Sequence, residues 1–159
     1  MDLTIERVGS DHPDAVRLVT HLWDEEETIY GPSGPCTFRP SDTSGPGCVF
    51  LVALDGTAAV GCCAVRPHNE PSFTVWAGEI KRVYVVPEVR GRRVGYALMQ
   101  AIEAEARALS YELLVLQTGT LQPAAIRLYE RCGFGRMDCW GEYAADPLSV
   151  CYEKQIGAI

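Results

Sequence analysis

The chain has no cysteine pair at C-x-x-C spacing and only three histidines, His12, His21 and His68, none four residues from another. Ligand sets for structural zinc and for thioredoxin-type redox chemistry are therefore missing, and no metal is expected. No apolar run approaches the ~20 residues that a membrane-spanning helix needs. Positive charge is short as well: 14 Lys and Arg stand against 21 Asp and Glu, a net charge of −7. That balance argues against general binding of nucleic acid or of an anionic membrane, and favours cationic partners. Neither Gly-Lys-Ser/Thr nor G-x-G-x-x-G occurs, so Walker-type and dinucleotide phosphate loops are excluded. The seven cysteines, odd in number and without a signal peptide before them, are expected to be reduced thiols in a cytoplasm, packed as small hydrophobes.

What is present suits one soluble domain over residues 1–159, 47% hydrophobic and 22% charged, large enough for a proper core. Leu3–Val8 alternates as a strand. Asp11 or Asp14 is expected to cap a helix carrying Val16, Val19, Leu22 and Trp23. Asp24 to Glu27 reads as a solvated helix end, or as an attractor for an amine. Residues 31–47 hold Gly31, Pro32, Gly34, Pro35 and Pro40, a loop too long for a passive connection and suited to covering a site. Cys48–Leu54 and Ala58–Val65 flank Asp55-Gly56, a hairpin signal. Pro67–Pro71 is a second loop, and Phe73–Trp76 extends into the next strand.

The segment Glu79–Val86 alternates, with Ile80, Arg82, Tyr84 and Val86 on one side, and Pro87 ends it. Val94–Leu109 is the clearest helix, its face formed by Val94, Ala97, Leu98, Ala101, Ile102, Ala108 and Leu109, with Glu103 and Arg107 paired outside. Leu113–Gln117 is nearly all apolar, a strand buried on both faces. Pro123 suits the first turn of a last helix that Gly133 terminates. Phe134–Met137 and Leu148–Lys154 form a final antiparallel pair. The order β, α, β-hairpin, β, α, β, α, β, β predicts a mixed sheet with helices on its faces.

Between the Glu79–Val86 strand and the next helix lies Arg-Gly-Arg-Arg-Val-Gly-Tyr-Ala, residues 90–97. A strand that turns through such a loop into a helix N-terminus offers outward N–H groups and a favourable dipole to an anion. Lys81, Arg82, Arg90, Arg92 and Arg93 gather there with only Glu88 against them. A local basic patch in an acidic chain fits a discrete phosphorylated ligand.

Residues 79–97 closely resemble motif A of the GNAT superfamily of acyl-CoA-dependent N-acyltransferases, whose loop reads Gln/Arg-x-x-Gly-x-Gly/Ala. Arg90 and Gly95 match its first and last positions. Arg93 stands where the middle glycine is usual. Either its backbone needs no positive φ, or the loop is altered; its guanidinium could add a phosphate contact. Residues 122–134 resemble motif B, often Asn-x-x-Ala-x-x-Leu-Tyr-x-x-x-Gly-Phe, with Gln122 in place of Asn.

The resemblance implies an α/β (α+β) fold with a mostly antiparallel central sheet whose central strands splay. It implies acetyl-CoA as co-substrate, held by Val83, Tyr84, Val85, Arg90, Gly91, Arg92, Arg93, Val94, Gly95, Tyr96, Gln122 and Ala125. It puts Val85 N–H at the oxyanion position, Tyr129 near the cofactor sulfur as acid, and Glu79 as base. Glu142, Tyr143, Thr118 and Gly119 are candidates for the acceptor side. The acceptor is a small-molecule or peptide amine, with the deciding residues at 24–47 and 138–149. Homodimers are common in such folds. A non-catalytic acyl-CoA sensor on the same fold is the alternative.

Overall fold

A computed structural model describes residues 1–34 and 36–157; Pro35 of the long loop, and residues 158–159 at the end of the expected domain, lie outside the described residues. Among the described residues seven strands form one sheet: β1 Leu3–Val8, β2 Val49–Asp55, β3 Ala58–His68, β4 Ala77–Val85, β5 Leu113–Gly119, β6 Gly135–Met137 and β7 Ser149–Gln155. Three α-helices accompany them: α1 Pro13–Tyr30, α2 Val94–Ala108 and α3 Pro123–Arg131. The spatial order is β1-β2-β3-β4-β5-β7-β6. All neighbours are antiparallel except β4 and β5.

The helices take both faces, as their apolar stripes require. Val94, Leu98 and Ile102 of α2 and Tyr129 of α3 pack with Val65, Ile80 and Leu116 on one side. Ala15, Leu18 and Leu22 of α1 pack with Phe50, Cys62 and Tyr84 on the other. These α1 residues recur at i, i+3, i+7, so the buried stripe runs through Leu18 and not through Val16, which is 44% exposed. On α2, Met99 and Ala106 are buried while Ala108 is exposed.

Helix ends follow local chemistry. The α1 cap is His12, not an aspartate: its side chain accepts from Asp14 N–H at 3.1 Å, just before Pro13 opens the helix. Gly133, at φ 89°, ends α3 in the left-handed region where a side chain would be strained. Between β3 and β4, Pro67 lies inside the strand, and Phe73–Trp76 belongs to the loop, since β4 opens only at Ala77.

Two irregularities of β4 shape the centre. The β3–β4 register pairs Cys62 with Tyr84 but Ala64 with Lys81, so Arg82 and Val83 together oppose Cys63. Arg82 takes φ 59° in this bulge. The extra residue inverts the alternation. Ile80 faces α2, whereas Tyr84 faces α1, although even spacing predicts one side for both. Second, the ladder between β4 and β5 covers only Ala77–Glu79 against Leu113–Val115. Beyond it the two parallel strands part, as the splay requires.

Candidate active site

The gap between β4 and β5 continues into a cavity of about 580 Å³. Val83, Tyr84 and Val85 line it from β4; Arg90, Gly91, Arg93, Val94, Gly95 and Tyr96 from the loop and α2; Ala125 from α3, with Gln122 just before that helix. Eleven of the twelve residues expected to hold the cofactor therefore meet at one cavity. Arg92 does not line it and is exposed on the loop. Leu22, Glu25 and Ile29 of α1 close the cavity, and Arg131 adds a cation that the motif did not mark.

Backbone direction explains why the gap can bind. Val86 N–H donates to Val60 O on β3 at 2.9 Å. In extended chain successive N–H groups alternate edges, so Val85 turns its own N–H toward the gap. Val85 O, on that edge too, accepts from Arg90 Nε at 2.9 Å. Arg90 Nη2 is meanwhile 2.6 Å from Glu25 Oε1, which ties the loop to α1.

The loop keeps its left-handed turn without the usual glycine. Arg93 caps α2 at φ 66°, ψ 20°, so the reading that its backbone needs no positive φ is overturned: the left-handed turn remains and arginine adopts it. Its guanidinium lies 4.9 Å over the Tyr96 ring. Gly95 has a packing role, since a Cβ there would sit 3.1 Å from Leu128 Cδ2 of α3.

Tyr129 does not line the cavity. It is 6% exposed and packs against Phe134 and Tyr152, with ring centroids 6.3 Å away in each case. Burial pushes its phenol up, and the charges of Cys63 and Glu26 add to the shift. The group stays protonated at every working pH.

Glu79 is 2% exposed on the opposite face of the sheet from α2. Its Oε1 lies 3.1 Å from Arg66 Nη2 and 3.5 Å from His68 Nδ1, and its Oε2 3.6 Å from Lys81 Nζ. Burial raises its pKa, but His68, Lys81 and Arg66 outweigh that and hold the carboxyl at about 2. A carboxylate so stabilised is a weak proton acceptor, which counts against the role of base expected for it.

Arg66, His68 and Glu79 border a second cavity of about 630 Å³, with Asp42, Ser44 and Pro46 of the long loop and Trp140, Glu142 and Tyr143. Both segments expected to choose the acceptor, 24–47 and 138–149, contribute to it. Thr118 and Gly119 do not line it. Gly119 instead lies under Tyr30, whose hydroxyl occupies the place of a Cβ. The acidic run of α1 is solvated only in part: Asp24 is exposed, whereas Glu25, Glu26 and Glu27 are half-buried. The thiols need one correction too. Cys139 and Cys151 form a disulfide, their Cα atoms 5.2 Å apart, while the other five cysteines are free. Pairing of Met137 with Cys151 carries Cys139, just past β6, against its partner.

Comparison with known proteins agrees with this geometry. Residues 15–134 match the acetyltransferase (GNAT) family. An "IAA acetyltransferase" of Azospirillum brasilense is 40% identical over 155 residues, 98% of this chain and 99% of that protein. A Klebsiella pneumoniae structure assigned to the acyl-CoA N-acyltransferases superposes with a TM-score of 0.77 at 33% identity, covering 96% of this chain and 97% of that one. A GNAT family acetyltransferase from Elizabethkingia anophelis with acetyl-CoA bound shares the fold, with a TM-score of 0.66 at 16% identity over 98% of this chain and 99% of its own.

Proposed function

The chain belongs to the acetyltransferase (GNAT) family, and from that premise we propose that it moves an acetyl group from acetyl-CoA to a primary amine by direct attack in a ternary complex. The observation that carries the reading is the parting of β4 from β5 after Glu79 and Val115, which opens a cavity ending at the α2 N-terminus. The pyrophosphate sits at residues 91–96, where loop N–H groups, the helix dipole, Arg93 and Arg131 favour negative charge. The pantetheine arm pairs with the free edge of Val83–Val85 like an added strand.

Three tasks remain for the protein. Val85 N–H, turned into the gap, stabilises oxyanion character on the thioester oxygen. Tyr129, beside the lining residues Leu128 and Arg131 of α3 though not itself in the lining, is assigned the hydrogen bond to the departing sulfur on the resemblance to motif B; its raised pKa suits a lasting donor better than an acid that gives up its proton. The amine enters from the second cavity, where Glu79, in its ion cluster, holds the floor charged and rigid. The five free thiols are not needed as nucleophiles.

Titration of acetyl-CoA, with thiol release measured on a panel of tryptamine, spermidine, 2-aminoethylphosphonate and an alanine-starting peptide, tests the proposal. Binding with turnover on at least one amine is expected. Binding without turnover on any amine means an acyl-CoA sensor, and no binding sinks both readings.

A further inference from the structure

One side chain joins the strand that carries the cofactor edge to the wall of the acceptor-side cavity. Resting on the acetyltransfer reading, we propose that Arg82 is a positioning residue for the amine: it anchors Asp42, and with it the wall formed by residues 42–46, to β4.

The bulge delivers the side chain. Ile80 and Val83 both pack on the α2 side, and Arg82 between them takes φ 59°. In an unbroken strand Arg82 would share the parity of Ile80 and point into the apolar layer beneath α2. Instead its guanidinium lies 3.7 Å over the ring of Phe38, which packs with the α1-side cluster. Its Nη2 lies 2.9 Å from Asp42 Oδ2. The bulge thus brings Arg82 onto the face that already carries the pair of Glu79 and Lys81.

Asp42 is the point at which the wall is held. It sits in a short 3-10 helix, Pro40–Thr43, and lines the acceptor-side cavity with Ser44 and Pro46. Its Oδ2 accepts from Arg39 N–H at 3.0 Å as well as from Arg82. One carboxylate oxygen therefore closes the turn on itself and ties it to the sheet. Among the described residues neither Arg82 nor Asp42 has a second ion pair, and the Arg82 side chain is only 7% exposed. With one partner so buried, removing either leaves an uncompensated charge against the sheet. Other contacts hold the neighbours or the backbone. Ser10 Oγ meets Thr43 O and Oγ1 at 2.9 Å, Tyr111 OH donates to Gly47 O at 2.5 Å, and Arg66 Nη1 reaches Asp42 O at 3.4 Å. Among the described residues Arg82 alone holds the Asp42 side chain from the sheet.

Arg82 also directly precedes Val83, where the edge proposed to pair with pantetheine begins. The wall for the amine is therefore fixed beside the strand that holds the thioester. Such a wall meets the body of the amine in ground and transition states alike, so its loss should appear in KM more than in kcat.

Kinetics on the full chain with the best amine of the panel test this. Arg82→Met should raise the KM of that amine about tenfold and leave kcat within about threefold, the pattern of lost binding common to both states. The acetyl-CoA Kd should stay at the wild-type value, since Arg82 does not line the cofactor cavity. Arg82→Lys keeps the charge but not the planar fork, and should fall between wild type and Arg82→Met. Because Arg82→Met also frees the Asp42 carboxylate, the control adds Asp42→Asn, and the raised KM should persist. A double variant with the wild-type KM would assign the effect to charge and overturn the anchoring role. So would an unchanged KM in Arg82→Met with folding intact by circular dichroism, or a parallel rise in the acetyl-CoA Kd, the mark of a strand that has lost its shape. If Arg82→Met folds too poorly for kinetics, amide exchange of Arg82→Lys decides: residues 39–46 should exchange faster than in the wild type while β5 is unchanged, and equal rates overturn the role. Wild-type binding without turnover on any amine overturns the acetyltransfer reading itself, and the part of Arg82 in holding an amine with it.

Discussion

The Tyr30 hydroxyl stands 3.1 Å from Gln122 Oε1, so the last turn of α1 is latched to the first residue before α3. Gly119 makes this possible, because a side chain there would overlap the phenol. The latch closes one side of the cofactor cavity. Tyr30→Phe should cost under about 1 kcal/mol of stability, as for an exposed hydrogen bond, and raise the KM for acetyl-CoA severalfold. Gly119→Ala should do the same by displacing the ring. In a Tyr30→Ala background the Gly119→Ala effect should vanish, and a double-mutant cycle measures this directly. Additive losses would mean that the two residues do not communicate.

Arg93 holds a left-handed backbone that glycine adopts freely. Arg93→Gly should therefore raise unfolding free energy by up to about 1 kcal/mol. It should also weaken acetyl-CoA binding and flatten its salt dependence, because one cation leaves the cavity rim. Thermal melts and titrations at two ionic strengths separate backbone from charge. A destabilised variant would contradict the backbone account.

Glu79 is expected to matter for stability and charge, and little for proton transfer. Its pKa falls from 4.5 to about 2 on folding. A depressed carboxyl contributes stability that is fully present above 4.5 and is lost as pH falls from there toward 2. Glu79→Gln should remove that contribution at pH 7 and leave Arg66 and Lys81 uncompensated. Chemical denaturation at pH 7 and at pH 3 reads it: the gap between wild type and variant should narrow at the lower pH. Above pH 5 the shape of the rate profile should stay as in the wild type, since Glu79 does not titrate there. A shifted limb would restore it as the base.

The disulfide gives a count. Alkylation of the denatured, unreduced protein should label five of seven cysteines, and reduction should expose Cys139 and Cys151. Closing a span of 12 residues is worth about 3 kcal/mol on loop-entropy grounds. Reduction should thus loosen residues 138–148, the segment bearing Trp140 and Tyr143 of the acceptor-side cavity, as faster amide exchange. Seven labelled thiols before reduction would refute the bond.

The order of strands and helices was legible because each element carries its own period and punctuation: Asp55-Gly56, Pro87, Pro123 and Gly133 all end or begin what they were expected to. That most residues of the two motifs would gather at one cavity was legible too, because each motif is local and both flank the parted strands. Long-range facts were not. The Cys139–Cys151 bond depends on how β6 registers against β7, which no local spacing encodes. The ion cluster on Glu79 needs the pairing of Arg66 with Glu79 across β3 and β4. His12 as helix cap escaped because the stronger capping residues, Asp11 and Asp14, stand on either side.

The extra residue at Arg82 has a consequence for any change of length in β4. Upstream and downstream of it the strand obeys opposite parity, so each side chain's address depends on how many residues precede it. Deleting one residue between Ile80 and Tyr84 would leave an odd separation of three, so a regular strand would still hold Ile80 on the α2 face, Tyr84 on the α1 face and Val85 N–H toward the gap. The same deletion in a stretch without a spare residue would flip every side chain beyond the cut. The bulge is thus the place in β4 where the strand can lose a residue and keep every address.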